Sequence, residues 1–192
     1  MDRPTFEPFA AVLKSLGPIS DRVLDALREL VHQRSFDAEA WLLRGGETAT
    51  SGYLLERGLA REYYVGEDGT EHTRRFIQAG ELTGSLLDLL SGRPAVTFIQ
   101  ALEPTRTLCF DYARFVALCD QHADLQRIAR RFTEFLYLSK AQREHELLAL
   151  SARERLERWQ REHPGLDARV SRRHVASYLG VTPEHLSRLR RG

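Results

Sequence analysis

From Ser171 to Gly192 the chain reads SRRHVASYLGVTPEHLSRLRRG, and its side chains have the types and spacing needed to read DNA. Glu184 and Arg188 stand four residues apart with Ser187 beside them, a spacing that places all three on one side of a helix. A carboxylate there can accept a hydrogen bond from a cytosine amine, and a guanidinium can take the O6/N7 edge of guanine. The stretch carries five arginines against one glutamate, so positive charge is concentrated where phosphates would be met. Arg172, Arg173, Arg190 and Arg191 are the candidate phosphate contacts. Thr182 and His185 complete the candidate DNA-binding set.

Two short helices must hold that face, and the local signals for them agree. Ser171 can cap a first helix whose inward face is Val175, Ala176 and Leu179, and Gly180 suits the left-handed conformation that ends it. Thr182 then caps a second helix, with Pro183 at its first position, where no amide donor is needed. Leu186 and Leu189 bury one side of it and leave Glu184, Ser187, Arg188 and Arg191 on the other. The pattern A-x-x-L-G-V-T from Ala176 to Thr182 is that of a helix-turn-helix. The alternative is an ordinary helical hairpin with a solvated basic face, in which Glu184 and Arg188 form only an i,i+4 ion pair. The chain stops one residue after Arg191, so no hairpin wing is expected after the second helix.

A chain of 192 residues with 42% hydrophobic and 29% charged residues is expected to hold one medium domain and a small one. No apolar run approaches a membrane span, and MDRPTFEPFA has no signal-peptide core, so a cytoplasmic protein with no membrane partner is expected. Of 28 basic residues only Lys14 and Lys140 are lysine. The two cysteines, Cys109 and Cys119, are too separated for a disulfide framework or a metal knuckle and read as free thiols.

Taken in order, residues 5–35 read as two helical segments, with Phe9, Val12, Leu13 and Leu16 before Gly17-Pro18 and Val23, Leu24, Leu27, Leu30 and Val31 after Ser20. From about residue 34 to 112 short alternating segments follow, punctuated by glycine, with strands read at 39–43, 52–56, 59–65, 70–77, 95–101 and 105–112. Asp68-Gly69 is a hairpin signal. Evenly spaced strands argue for an antiparallel barrel or sandwich. Within it, Ser85 to Leu90 reads as a short helix. Such an insertion can present backbone amides to an anion. Asp88 and Glu81 read as turn and cap groups. After Asp111 the texture turns helical, and Leu125, Ile128, Phe132, Phe135 and Leu136 make an apolar seam on a long helix over 123–150. That seam either packs on the chain's own barrel or pairs with a second copy. Ser151 caps a further helix, Ala152 to Glu162, with Leu156 and Trp159 inward.

A barrel with an embedded helical turn, a long helix and a C-terminal helix-turn-helix resembles the Crp/Fnr family of bacterial transcription regulators. The resemblance rests on YLLERGLAREYYVGEDGTE at 53–71, GELTGSL at 80–86 and VASYLGVTPEHLSRLRR at 175–191. It implies an α+β fold: an antiparallel β-roll or jelly-roll sensor over 1–122, a dimerisation helix over 123–150 and a winged-helix-like helix-turn-helix domain over 151–192. It also implies a homodimer that binds a palindromic duplex, an unidentified small-molecule effector in the barrel, and RNA polymerase as a candidate partner. The seam residues are then the expected dimer interface. Glu184 and Arg188 match base-contacting positions of the family, while Pro183 stands where a third polar reader is often found.

The effector pocket matched to the family comprises Gly84, Ser85, Leu86, Arg93, Ala95, Val96 and Thr97. Relatives that bind cyclic AMP carry a carboxylate for the ribose hydroxyl at the position of Ser85, and an Arg-Ser or Arg-Thr pair for the cyclic phosphate at Ala95-Val96. Without that arginine the phosphate loses a charge-assisted contact of roughly 1.5–3 kcal/mol. Arg93, two residues earlier, replaces it only if the loop shifts, so weak or no cyclic-nucleotide binding is expected. Two separated cysteines do not supply a four-thiolate cluster, and the seven histidines show no ligand spacing, so no cofactor or metal is expected. The expected function is a homodimeric, sequence-specific DNA-binding regulator whose effector is not cyclic AMP. The alternative is a small-molecule-binding signalling module whose C-terminal helices dock a protein partner. No G-x-S-x-G elbow, P-loop or dinucleotide fingerprint occurs, so an enzyme is not expected.

Overall fold

Tyr53, Leu54 and Leu55 are three apolar residues in a row, a pattern that suits a strand covered on both faces. In the computed structural model, which describes residues 5–191, all three are buried, and the two-residue period of the strand sends them into different cores. Leu54 joins Leu108 and the helical residues Phe9, Leu13, Val23 and Leu27, while Tyr53 and Leu55 join Cys109, Ile77 and Ile99 between the sheets. The strands are β1 (Val31–Phe36), β2 (Trp41–Leu43), β3 (Ser51–Arg57), β4 (Leu59–Val65), β5 (Glu71–Gln78), β6 (Leu82–Thr83), β7 (Thr97–Ala101) and β8 (Thr105–Asp111). They form two four-stranded sheets in the orders β1-β8-β3-β6 and β2-β7-β4-β5. The registered pairs are antiparallel: Val31 faces Phe110, Tyr53 faces Cys109 on one side and Thr83 on the other, and Trp41 faces Gln100. The fold is therefore α+β with an antiparallel β-roll.

The helices are α1 (Glu7–Leu16), α2 (Asp21–Arg28), α3 (Leu86–Ser91), α4 (Tyr112–Gln121), α5 (Ala123–Ala149), α6 (Ala152–Glu162), α7 (Arg172–Leu179) and α8 (Pro183–Leu189). The expected helical stretch over 5–35 stops early. Helix α2 ends at Arg28, and Val31 opens β1, whose whole length pairs with β8 from Phe110 to Thr105. Leu30 and Val31 keep the spacing of the helical stripe, but a partner strand far along the chain decides their conformation. Strand β6, two residues long, lies where only a turn was expected.

The long helix also departs from expectation. Leu125 and Ile128 are buried in the chain's own core with Phe9, Leu13, Val23 and Leu27, so they are not available to a second copy. The cause is the pair α1 and α2, whose apolar faces are packed on the start of α5; Asp124 anchors the junction by accepting from the amide and hydroxyl of Ser20, each at 2.9 Å. Further along the same stripe Phe132 and Leu136 are half-buried and Phe135 is 56% exposed.

The chain divides into two compact units. The first comprises the residues up to Glu62 with Phe76–Glu134, and the second Tyr63–Arg75 with everything from Phe135 onward. The division differs from a three-part split at 122 and 150: it cuts the long helix, and it assigns the tip of the β4–β5 hairpin to the C-terminal unit.

Candidate functional site

The C-terminal unit builds the helix pair from the caps outward. Ser171 accepts from the amide of His174 at 3.2 Å and opens α7, and Thr182 accepts from the amide of His185 at 3.2 Å and opens α8 behind Pro183. Gly180 ends α7 with φ +67°, a left-handed conformation that a side chain would strain. Val175, Ala176, Leu179 and Leu186 are buried between the two helices.

Glu184 and Arg188 are exposed on α8, with Ser187 half-buried between them. The amide of Glu184 itself, then the hydroxyl of Thr182 and the charge of Arg188, hold the Glu184 carboxyl below the usual carboxylate range, so it is a charged acceptor at neutral pH. Among the described residues Glu184 and Arg188 form no ion pair; the Glu184 carboxyl rests on its own amide and the Thr182 hydroxyl, and the Arg188 guanidinium is exposed. Ser187 donates its hydroxyl to the carbonyl of Pro183 at 2.9 Å. Arg172, Arg173 and Arg191 are exposed, and His185 is half-buried. Arg190 differs from expectation: its guanidinium forms an ion pair with Asp167, which fastens the end of α8 instead of leaving that charge free.

Arginines elsewhere in this unit close the ends of the two helices. Arg143 donates to the carbonyl of Tyr178 and lies over its ring at 4.0 Å, while Arg155 donates to the carbonyl of Leu179 at 2.9 Å. Arg153 donates to the carbonyl of Leu189 at 3.1 Å. Glu146 on α5 is buried and receives Arg143 at 3.0 Å and Arg158 at 3.1 Å. Last-turn carbonyls have no partner within a helix, so each arginine satisfies an acceptor that water would otherwise have to reach.

Ser177 was not singled out by any sequence signal. Its hydroxyl donates to the carbonyl of Glu71 at 2.6 Å and accepts from the amide of Thr73 at 2.8 Å, so it ties α7 to the β4–β5 hairpin. The hairpin tip is itself ordered by Asp68, which accepts from the amide of Thr70 at 2.9 Å and from its hydroxyl at 2.8 Å. Ser177→Ala withdraws the acceptor of the Thr73 amide and should cost about 1–3 kcal/mol, read by thermal unfolding. The Thr73 amide should also exchange with solvent faster; unchanged exchange there would show that the clasp holds nothing.

The effector region lies in the other unit, around α3 and the start of β7. Gly84 has φ +139°, and a Cβ there would stand 3.2 Å from the Cα of Gly52 and from the carbonyl oxygen of Ser51, so this position needs glycine. Ser85 caps α3, accepting from the amide of Asp88, and its hydroxyl pairs with that of Thr97 at 2.8 Å. Asp88 is buried. Its Oδ1 accepts from the amide of Val96 at 3.1 Å and its Oδ2 from the amide of Thr97 at 3.2 Å. Ala95 is buried, Val96 and Arg93 are exposed, and Leu86 is half-buried. Ser85, Val96 and Thr97 thus converge on one carboxylate, whereas Arg93 stays at the surface.

Burial acts to raise the Asp88 carboxyl, but the hydroxyls of Ser85 and Thr97 and the two amides outweigh it and hold the group below its usual range. A depressed folded value means that the stabilisation is complete above the unfolded value of about 3.9 and fades as pH falls through the lower folded value. Acid unfolding followed by circular dichroism should therefore be less steep below about pH 4 in Asp88→Asn than in the wild type. The thiols offer no comparable chemistry, since burial pushes both up, Cys119 to about 11. Among the described residues no group of three or more His, Cys, Asp and Glu is placed to hold a metal ion, and no helix is long and apolar enough to cross a membrane.

Residues 33–122 match the cyclic nucleotide-binding domain family. Over 183 residues the chain is 27% identical to the fumarate and nitrate reduction regulatory protein of Vibrio cholerae, covering 89% of this chain and 72% of that protein. Its fold is similar to that of FixK2 from Bradyrhizobium japonicum, with a TM-score of 0.71 at 20% identity over 84% of this chain and 83% of the other. It is equally similar to the c-di-GMP responsive global regulator CLP of Xanthomonas campestris, with a TM-score of 0.71 at 17% identity over 90% of both chains.

Proposed function

We propose that the chain is a transcription regulator of the Crp/Fnr type: a homodimeric, sequence-specific DNA-binding protein whose barrel does not take cyclic AMP. The observation that carries the DNA reading is the face of α8, where a charged acceptor, Glu184, and an uncommitted guanidinium, Arg188, stand exposed one turn apart. Glu184 accepts from a cytosine amine, Arg188 takes a guanine edge, and Arg172, Arg173 and Arg191 meet phosphates. Arg190 supports the site from behind through Asp167.

Dimerisation is assigned to the later part of the α5 stripe, where Phe135 is 56% exposed, Phe132 and Leu136 are half-buried, and the flanking Leu138 is 64% exposed. Two copies joined there present two recognition helices about 34–36 Å apart to successive major grooves of a palindrome. Two features support weak or no cyclic AMP binding: Ala95 stands at the position matched to the phosphate-binding arginine, and a carboxylate already lies on the neighbouring amides.

Selection of bound duplexes from a random pool by the full chain tests the proposal. A two-fold symmetric motif, bound with an affinity that falls steeply with salt, is the expected result. If all duplexes were retained equally, sequence-specific reading would be wrong.

A further inference from the structure

Asp88 reads from the sequence as a helix-cap or turn group, yet its side chain points away from such a role. It is buried, and its two oxygens divide between two successive amides, those of Val96 and Thr97, at 3.1 and 3.2 Å. Successive amides with neighbouring hydroxyls make a concave anion site, and here the hydroxyls are those of Ser85 and Thr97. The same turn is where the resemblance places the residues that take a cyclic phosphate. An incoming phosphate would meet no arginine at Ala95, would have to displace a carboxylate from the amides, and would stand beside that like charge.

We propose that Asp88 is a built-in anion that holds the α3–β7 turn in its anion-occupied arrangement, so that the regulator binds DNA without an anionic effector. The inference rests on the DNA-binding reading above for its second half only. The carboxylate is covalently attached, so its effective concentration at the amides is far above that of a free metabolite. The amides are satisfied in every copy of the chain, and α3 remains docked on β7 whatever the small-molecule content of the cell. Asp88 acts as a positioning residue, and deleting it should recreate a vacant site for a small anion.

The test uses the full chain as wild type, Asp88→Ala and Asp88→Asn, with acetate, inorganic phosphate and chloride at matched ionic strength as probes, and thermal unfolding as the readout. Asp88→Ala should melt lower by about 5 °C, since the buried amide of Thr97 and the part-buried amide of Val96 lose their acceptor. Acetate and phosphate should restore that loss saturably and chloride should not. Asp88→Asn should be destabilised but not restored, because its side chain still fills the place. The wild type should respond to phosphate and to cyclic AMP no more than to chloride, and should bind its selected duplex with no added ligand. An Asp88→Ala protein that melts like the wild type, or that neither acetate nor phosphate restores, overturns the proposal. So does a saturable rise in wild-type melting with phosphate or cyclic AMP, and that arm decides the matter if Asp88→Ala does not fold. If the wild type selects no duplex, the DNA-binding reading fails while the melting arms still judge the built-in anion.

Discussion

Replacing Arg188 by alanine is expected to weaken binding to the selected duplex at least about thirtyfold, from roughly 1–3 kcal/mol lost in each of two half-sites. The side chain is exposed on α8 and takes part in no hydrogen bond or ion pair among the described residues, so its removal leaves the fold as it is. The loss should be selective. At one G·C pair per half-site the variant should no longer distinguish guanine from the other bases, while discrimination at the remaining positions persists. Arg172→Ala supplies the contrast, because a phosphate contact weakens every duplex alike and lowers the slope of log affinity against log salt by about one per half-site. Fluorescence anisotropy on the selected duplex and its single-base variants separates the two. An Arg188→Ala protein with wild-type discrimination at every position would remove Arg188 from base reading.

The parts of the molecule that were legible in its sequence are those governed by neighbours along the chain. The second helix of the motif opens at Thr182 and Pro183, and α6 opens at Ser151, whose capping box with Glu154 is complete, because caps and first turns are settled within four residues. The hairpin at Asp68 and Gly69 follows for the same reason. What was illegible depends on distant partners. Val31 continues a helical stripe yet becomes a strand, because Phe110 lies opposite it. Asp88 has the place of a cap residue in α3, and only the return of the chain at Val96 shows what it ligates. Ser177 stands between Ala176 and Tyr178 in the mostly apolar stretch from Val175 to Leu179, and its role exists only because the hairpin at Glu71 and Thr73 passes beside it. Arg190 offers a further case: its charge suggested phosphate, and Asp167, twenty-three residues earlier, takes it.

The long helix combines both situations, and a pair of substitutions separates them. Leu125 and Ile128 sit on the same stripe as Phe135, but the first two are inside the core with α1 and α2, and Phe135 is 56% exposed. Leu125→Ala should therefore lower unfolding stability by about 2–5 kcal/mol, the range for a large-to-small change in a packed core, and leave the association state unchanged well below the melting temperature. Phe135→Arg should do the reverse. A charge on an exposed helical position costs the isolated chain little, yet at the proposed seam it sets two guanidiniums against each other and removes an aromatic contact from each copy. Sedimentation should show this variant as a monomer under conditions where the wild type is a dimer. Its affinity for a two-half-site duplex should fall by about a hundredfold to ten-thousandfold, the advantage that linkage of two reading helices confers, while affinity for a single half-site is retained. A wild type that sediments as a monomer while bound to the palindrome would remove the dimer itself, and a Phe135→Arg protein that remains dimeric would place the seam elsewhere. Retention of the half-site affinity is the decisive observation, because a variant that had merely misfolded would lose it together with the dimer.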